Sequence, residues 1–295
     1  QKLLCERAIT AMQFDFNRGR FGVIKGHPSS GGAPDDTWFT VRCDENDFTS
    51  ALYAAIHEAG HAVYDQTTPK QWRNQPAGGA LGMAIHESQS RIMEVQAGIT
   101  PEFIGWLSKQ ALGVFGNDPS LEADNLRRLI QRTNPSFIRV EADEMTYPMH
   151  VALRFELERA IIEGSLAVAD LPDAWNERME KRLGMRPKNN AEGCMQDIHW
   201  PVGSIGYFPA YTLGDMLAAQ LFAKARKQYP DICKNLANGD FSKLRDWLRD
   251  NVHSKGSLLT SEDMILKATG EQLNAKYYLS HFSERYLGKP YAPQP

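Results

Sequence analysis

Long hydrophobic runs are missing from this 295-residue chain. No stretch reaches the roughly 18 apolar residues of a membrane-spanning helix, and the opening residues lack the basic-then-apolar order of a secretion signal. An excess of charge is missing too. With 33 Lys and Arg against 36 Asp and Glu, the net charge is −3, and no polybasic cluster marks out nucleic acid or an anionic membrane as a partner. Cysteine is scarce: Cys5, Cys43, Cys194 and Cys233 lie far apart with no C-x-x-C pair. That argues against a cysteine-built zinc site and a disulfide framework, and for free thiols in a reducing compartment. These absences lead us to expect a cytoplasmic protein.

What is present centres on Ile56-His57-Glu58-Ala59-Gly60-His61, an H-E-x-x-H motif. Over residues 48–64 the only charged residue is Glu58, while Leu52, Ile56, Ala59 and Val63 form one apolar helical stripe. Asp47 stands where an N-cap is needed. On such a helix His57 and His61 project from the face opposite the stripe, close enough for both imidazoles to bind one metal ion. Glu58 is offset from that pair and is suited to act as general base toward a metal-activated water. Small residues at Ala54, Gly60 and Ala62 let neighbouring elements approach. The competing reading is a core helix with two hydrogen-bonded histidines.

A second helical stretch, 83–97, carries His86-Glu87-Ser88-Gln89. Glu87 completes a His-His-Glu set with a fourth position open, the donor count of a catalytic zinc site. His86 is its rival, and adjacent helical residues point about 100° apart, so one of the two faces the metal. Alternatively, Glu87 is a solvated carboxylate paired with Arg91 one turn later.

Other helices are predicted over 2–16, 101–112, 120–131, 139–163, 173–183, 211–228, 241–251, 261–269 and 274–287. Irregular segments are expected over 17–37 and 184–209, and one short strand over 38–43. The fold class is therefore mainly α, a zincin-like helical metallopeptidase with a small β element near the active site, read as a single catalytic domain over 1–295.

Three further stretches, with the two above, carry a family resemblance. His57–His61 and His86–Gln89 are joined by Ile138-Arg139-Val140-Glu141-Ala142-Asp143, by Gly193-Cys194-Met195-Gln196-Asp197-Ile198-His199-Trp200, and by Gly206-Tyr207-Phe208-Pro209-Ala210-Tyr211. In this order they resemble the carboxypeptidase Taq, or M32, metallocarboxypeptidases. Two motifs depart from the pattern. The family's H-P-F stands as His27-Pro28-Ser29, and its D-x-R-x-T as Asp36-Thr37-Trp38-Phe39-Thr40, with Trp38 in place of an arginine implied to help recognise substrate. Family members also carry an N-terminal helical region that would precede Gln1, so the chain is expected to be a fragment or a compact variant.

The resemblance implies a metal-dependent carboxypeptidase acting on peptides with a free C-terminus. One divalent ion is expected, Zn²⁺ with Co²⁺ or Mn²⁺ as alternatives, held by His57, His61 and Glu87. Glu58 would be the general base. His199 and Tyr207 are the candidates for an oxyanion donor. Arg139, with Tyr211, would bind the substrate carboxylate, since an arginine fork grips it bidentately; the competing reading pairs Arg139 with Asp143 on one helix. Gln196 and Asp197 would order the loop around them. A homodimer is implied by the resemblance alone. An endopeptidase or dipeptide-releasing enzyme is the first alternative, and a non-catalytic scaffold of the same fold the second.

Overall fold

The computed structural model describes residues 1–25 and 29–292; His27 and Pro28 of the departing H-P-F motif lie outside them. Among the described residues there are twelve α-helices and one three-stranded sheet. The chain divides into two compact units, 1–130 with 214–295, and 131–213. Among the described residues, no helix is long and apolar enough to cross a membrane, and the four cysteines are free thiols.

The first unit contains α1 (Lys2–Ala11), β1 (Gly19–Val23), β2 (Ser30–Ala33), β3 (Asp36–Val41), α2 (Phe48–Thr67), α3 (Met83–Arg91), α4 (Pro101–Phe115) and α5 (Ala123–Ile130). The second holds α6 (Tyr147–Ile162) and α7 (Leu171–Leu183). Helix α8 (Pro209–Gln228) starts in the second unit and runs on into the first, where α9 (Ile232–Leu236), α10 (Ser242–Asn251), α11 (Ser261–Thr269) and α12 (Lys276–Leu287) follow.

Helix α2 is the axis of the first unit's core. Asp47 caps it, its carboxylate accepting from the backbone N–H of Thr49 and Ser50. The predicted stripe is fully inside: Leu52, Ile56 and Ala59 have no exposed surface and Val63 has 1%. Gly60 lets α3 come against the other side. A Cβ there would stand 2.7 Å from both Gln89 O and Ser90 Cα, nearer than packed atoms approach. Helix α3 does not continue regularly to Ala97 as expected. From Ile92 to Ala97 it widens into a π-helical turn, closed by Gly98 N–H donating to Met93 O at 2.8 Å.

The expectation of an irregular 17–37 segment is overturned. β1 pairs parallel to β3, and β2 pairs antiparallel to it, giving the order β1-β3-β2. The sequence Ser30-Gly31-Gly32-Ala33 has little intrinsic strand preference, and all four residues are exposed. Pairing with β3 makes it a strand, and Trp38 lies across from Gly31, covering the missing side chain. β3 alternates as a half-buried strand should, with Thr37, Phe39 and Val41 facing the core. Helix α1 stops at Ala11, short of Phe16, because Gln13 takes a left-handed φ of 67° and turns Phe14 back onto Phe39.

In the second unit the helix expected from Arg139 starts only at Tyr147. Pro148 cannot donate within a helix interior and sits in the first turn instead. Asp143 accepts from the backbone N–H of Met145 and Thr146 just ahead of it. Arg139 falls in a separate 3₁₀ turn, Arg139–Glu141. Buried Leu153, Leu157, Trp175 and Met179 hold α6 and α7 together.

Candidate metal centre

His57 and His61 lie on α2, and Glu87 comes from α3 at the point where Gly60 admits it. Their ligand atoms all lie within 4.8 Å of one another. The two Nε2 atoms converge on one oxygen: His57 Nε2 is 3.8 Å and His61 Nε2 3.5 Å from Glu87 Oε2. Glu87 is 6% exposed, so it is not the solvated helix carboxylate of the alternative reading. Gly214 seats its stem, since a Cβ there would stand 2.7 Å from Glu87 Cγ. His86 points elsewhere, its Nδ1 lying 2.7 Å from Nδ1 of His61.

Behind the ligands is a charged network that no motif in the sequence announced. The π turn brings Glu94 to His57, whose Nδ1–H donates to Glu94 Oε2 at 2.8 Å. Arg91 donates to the same oxygen at 2.7 Å and to Asp215 Oδ1 at 2.5 Å. Burial disfavours an imidazolium, yet Glu87, Glu94 and Glu58 outweigh it and raise His57 to about 9. Burial would likewise raise Glu87, but His57, His61 and Arg91 bring it down to about 2. Burial, with His57 and His86 nearby, lowers His61.

The donor set suits a divalent ion. Two imidazoles with lone pairs free at Nε2 and one ionised carboxylate are the ligands of a catalytic zinc site. Glu87, Glu94 and Glu58 favour positive charge beside His57, which suits a bound cation in place of a proton on Nε2. Glu58 is not in the ligand set, and its Oε2 is buried with no hydrogen-bond partner among the described residues. An orphaned carboxylate oxygen costs free energy unless something is to occupy it.

A helix bearing H-E-x-x-H, a glutamate from the next helix and a largely α-helical frame are the architecture of the helical metallopeptidase fold. The model of the family described as carboxypeptidase Taq (M32) metallopeptidase matches residues 1–286, and the chain belongs to that family. It is 38% identical over 291 residues to "Carboxypeptidase 1" of Bacillus subtilis, covering 97% of this chain and 57% of that protein. To "Thermostable carboxypeptidase 1" of Thermus thermophilus it is 36% identical over 287 residues, covering 97% of this chain and 56% of that one. Among solved structures it is similar to Trypanosoma cruzi metallocarboxypeptidase 1, with a TM-score of 0.93, 36% identity, and 97% of this chain and 60% of that chain covered. The chain thus spans little more than half the length of the curated relatives it matches. Membership of this metallopeptidase family implies a divalent metal ion.

The other predicted residues lie together in the second unit. Arg139 is 6% exposed and gives Asp197 Oδ1 two N–H groups, from Nε at 2.9 Å and NH2 at 2.8 Å. NH1 donates to the Tyr147 hydroxyl at 2.9 Å, and the guanidinium lies 4.8 Å from the Tyr211 ring centroid. Among the described residues, the pair with Asp143 that the competing reading put on one helix does not form, because Arg139 is outside the helix. Gln196 orders the loop as anticipated, accepting from Arg139 N–H at 2.8 Å and donating to Phe137 O at 3.0 Å. Arg154, which sequence reasoning missed, is wholly buried and donates from Nε to the other oxygen of Asp197 at 2.6 Å. The cluster of two guanidiniums and one carboxylate keeps a net positive charge. His199 Nε2 is 3.0 Å from the Tyr211 hydroxyl, and the Tyr207 ring centroid lies 5.3 Å from that of His199.

A buried histidine outside the ligand set gives the first unit a pH signature. His253 has 1% exposure, with Nε2 2.9 Å from Gln89 Oε1 and Nδ1 2.6 Å from Thr67 Oγ1. Burial, reinforced by His86, Arg249 and Arg245, pushes it down to about 3. The unfolded chain therefore binds a proton here below about 6.5 that the folded chain refuses, and acid draws the equilibrium toward unfolding. The stability advantage of the native chain over His253→Asn is expected to narrow as pH falls from about 6.5 to about 4. Urea unfolding at several pH values measures this; an advantage that is constant or widens in acid would show that His253 is not held neutral.

Proposed function

We propose that this chain forms the hydrolytic centre of a metal-dependent carboxypeptidase that releases C-terminal residues from peptides. The observation that carries the reading is the convergence of His57 Nε2, His61 Nε2 and Glu87 Oε2 beside an unpartnered Glu58 Oε2. A divalent ion held there, Zn²⁺ in this reading, would polarise the scissile carbonyl and make a water nucleophilic near neutral pH. Glu58 takes the proton of that water and returns it to the departing amine. Glu94 holds His57 in the tautomer that leaves Nε2 free, and Arg91 with Asp215 holds Glu94.

Recognition is assigned, on the family resemblance, to Arg139, His199, Tyr207 and Tyr211. Arg139, made net cationic by Arg154 across Asp197, attracts the substrate's terminal carboxylate, with the Tyr211 hydroxyl as a further donor. His199 and Tyr207 are assigned the oxyanion. Burial and the neighbouring Arg139 lower His199 and favour its neutral form. Free thiols support a cytoplasmic setting, and a homodimer follows from the family resemblance alone.

Peptides with free and amidated C-termini test the assignment. Zinc-loaded protein is expected to release single residues from the free peptide and to leave the amidated one intact. Equal cleavage of both would establish an endopeptidase, and no cleavage of either by stoichiometrically loaded protein would leave a scaffold.

A further inference from the structure

We propose that His86, backed by Asp65, is the positioning residue that fixes the tautomer and ring orientation of the ligand His61; this rests on the reading of His57, His61 and Glu87 as a metal set. The Nε2 atoms of both ligand histidines face Glu87 Oε2, so their Nδ1 atoms point away from it. A neutral imidazole that lends its Nε2 lone pair carries its proton on Nδ1. For His57 that proton goes to Glu94. For His61 the only group offered at Nδ1 among the described residues is Nδ1 of His86, at 2.7 Å.

Two ring nitrogens that close must be one N–H and one lone pair. With His61 donating, His86 accepts at Nδ1 and carries its own proton on Nε2. That nitrogen faces Asp65 Oδ1 at 3.3 Å. The run Asp65, His86, His61 therefore has one proton arrangement that satisfies every member and leaves His61 Nε2 open. The ring of His86 is held for the task, its centroid 4.7 Å from that of His61 and 5.2 Å from that of Tyr64. The two ligands are thus backed differently, His57 by a carboxylate and His61 by a neutral imidazole. Asp65 follows His61 by one helical turn on the same face of α2, so a single helix carries His57, His61 and the group that orients His86.

The test compares His86→Leu, which has no acceptor, with His86→Asn, whose Oδ1 stands where Nδ1 was. Zn²⁺ affinity is measured by competition with a chromophoric chelator, and the His61 Nδ1–H of ¹⁵N-histidine-labelled, zinc-loaded protein is followed by NMR. His86→Leu is expected to weaken zinc binding about 10–100-fold and to leave that proton exchanging freely. His86→Asn is expected to recover most of the affinity and the protected proton. The unfolding midpoint of metal-free protein is expected to match wild type in both variants, which separates lost orientation from lost folding. Wild-type affinity in His86→Leu, or equal losses in the Leu and Asn variants, would overturn the role of His86 alone. Wild-type protein that takes up no more zinc than His57→Ala would overturn the metal reading beneath it.

Discussion

Glu58→Gln is expected to lower peptide hydrolysis about 10²–10⁴-fold while zinc stoichiometry and the unfolding midpoint stay at wild-type values. That loss corresponds to about 3–5 kcal/mol of transition-state stabilisation. The two side chains have nearly the same shape, so the buried position of Oε2 is kept; what the amide cannot do is accept a proton. Glu58 lies outside the ligand group formed by His57, His61 and Glu87, and its loss therefore leaves the metal donors intact. Glu87→Ala serves as the contrast, because it removes a ligand and should lose zinc and activity together. Hydrolysis parallel to zinc content in both variants would mean that Glu58 acts only through the metal. Wild-type hydrolysis by zinc-loaded Glu58→Gln would rule out its role as general base.

The candidate metal set was legible because helical periodicity fixes direction. A four-residue spacing puts His57 and His61 on one face, and the apolar stripe shows which face turns inward. The position of Glu87 rather than His86 was not fixed by periodicity, since neighbouring residues only exclude each other. It took the approach of α3 at Gly60 to decide, and that approach brings Gln89 and Ser90 against α2. The groups behind the ligands were out of reach for another reason. Arg91 meets Asp215 across 124 positions of sequence, and no local pattern encodes such a pairing. Glu94 faces His57 from within a π turn, where the ordinary 3.6-residue count no longer gives the direction of a side chain. β2 was missed because its strand character comes from β3 and not from Ser30-Gly31-Gly32-Ala33, and Arg139 was assigned to a helix that Pro148 delays.

Asp197→Ala is expected to destabilise the chain by about 3–5 kcal/mol, the range for removing one partner from a buried ion pair. The reason lies in what remains. Side-chain exposure is 0% for Arg154, 7% for Arg139 and 11% for Asp197, so two guanidiniums would be left together without their shared carboxylate. Arg139 and Arg154 hold Asp197 in its ionised form against the effect of burial, lowering its pKa. Arg154→Met should be milder, because the Arg139–Asp197 pair it leaves is electrically balanced and methionine fills the apolar space over Trp175. The same substitution removes the cluster's net positive charge, so it should raise KM for peptides with a free C-terminus more than it lowers kcat. Urea midpoints and the KM-against-kcat split measure the two effects independently. Equal destabilisation by Asp197→Ala and Arg154→Met would mean that packing, not charge balance, sets the stability of the cluster. An unchanged KM in Arg154→Met would mean that the substrate carboxylate is recognised without the help of the second arginine.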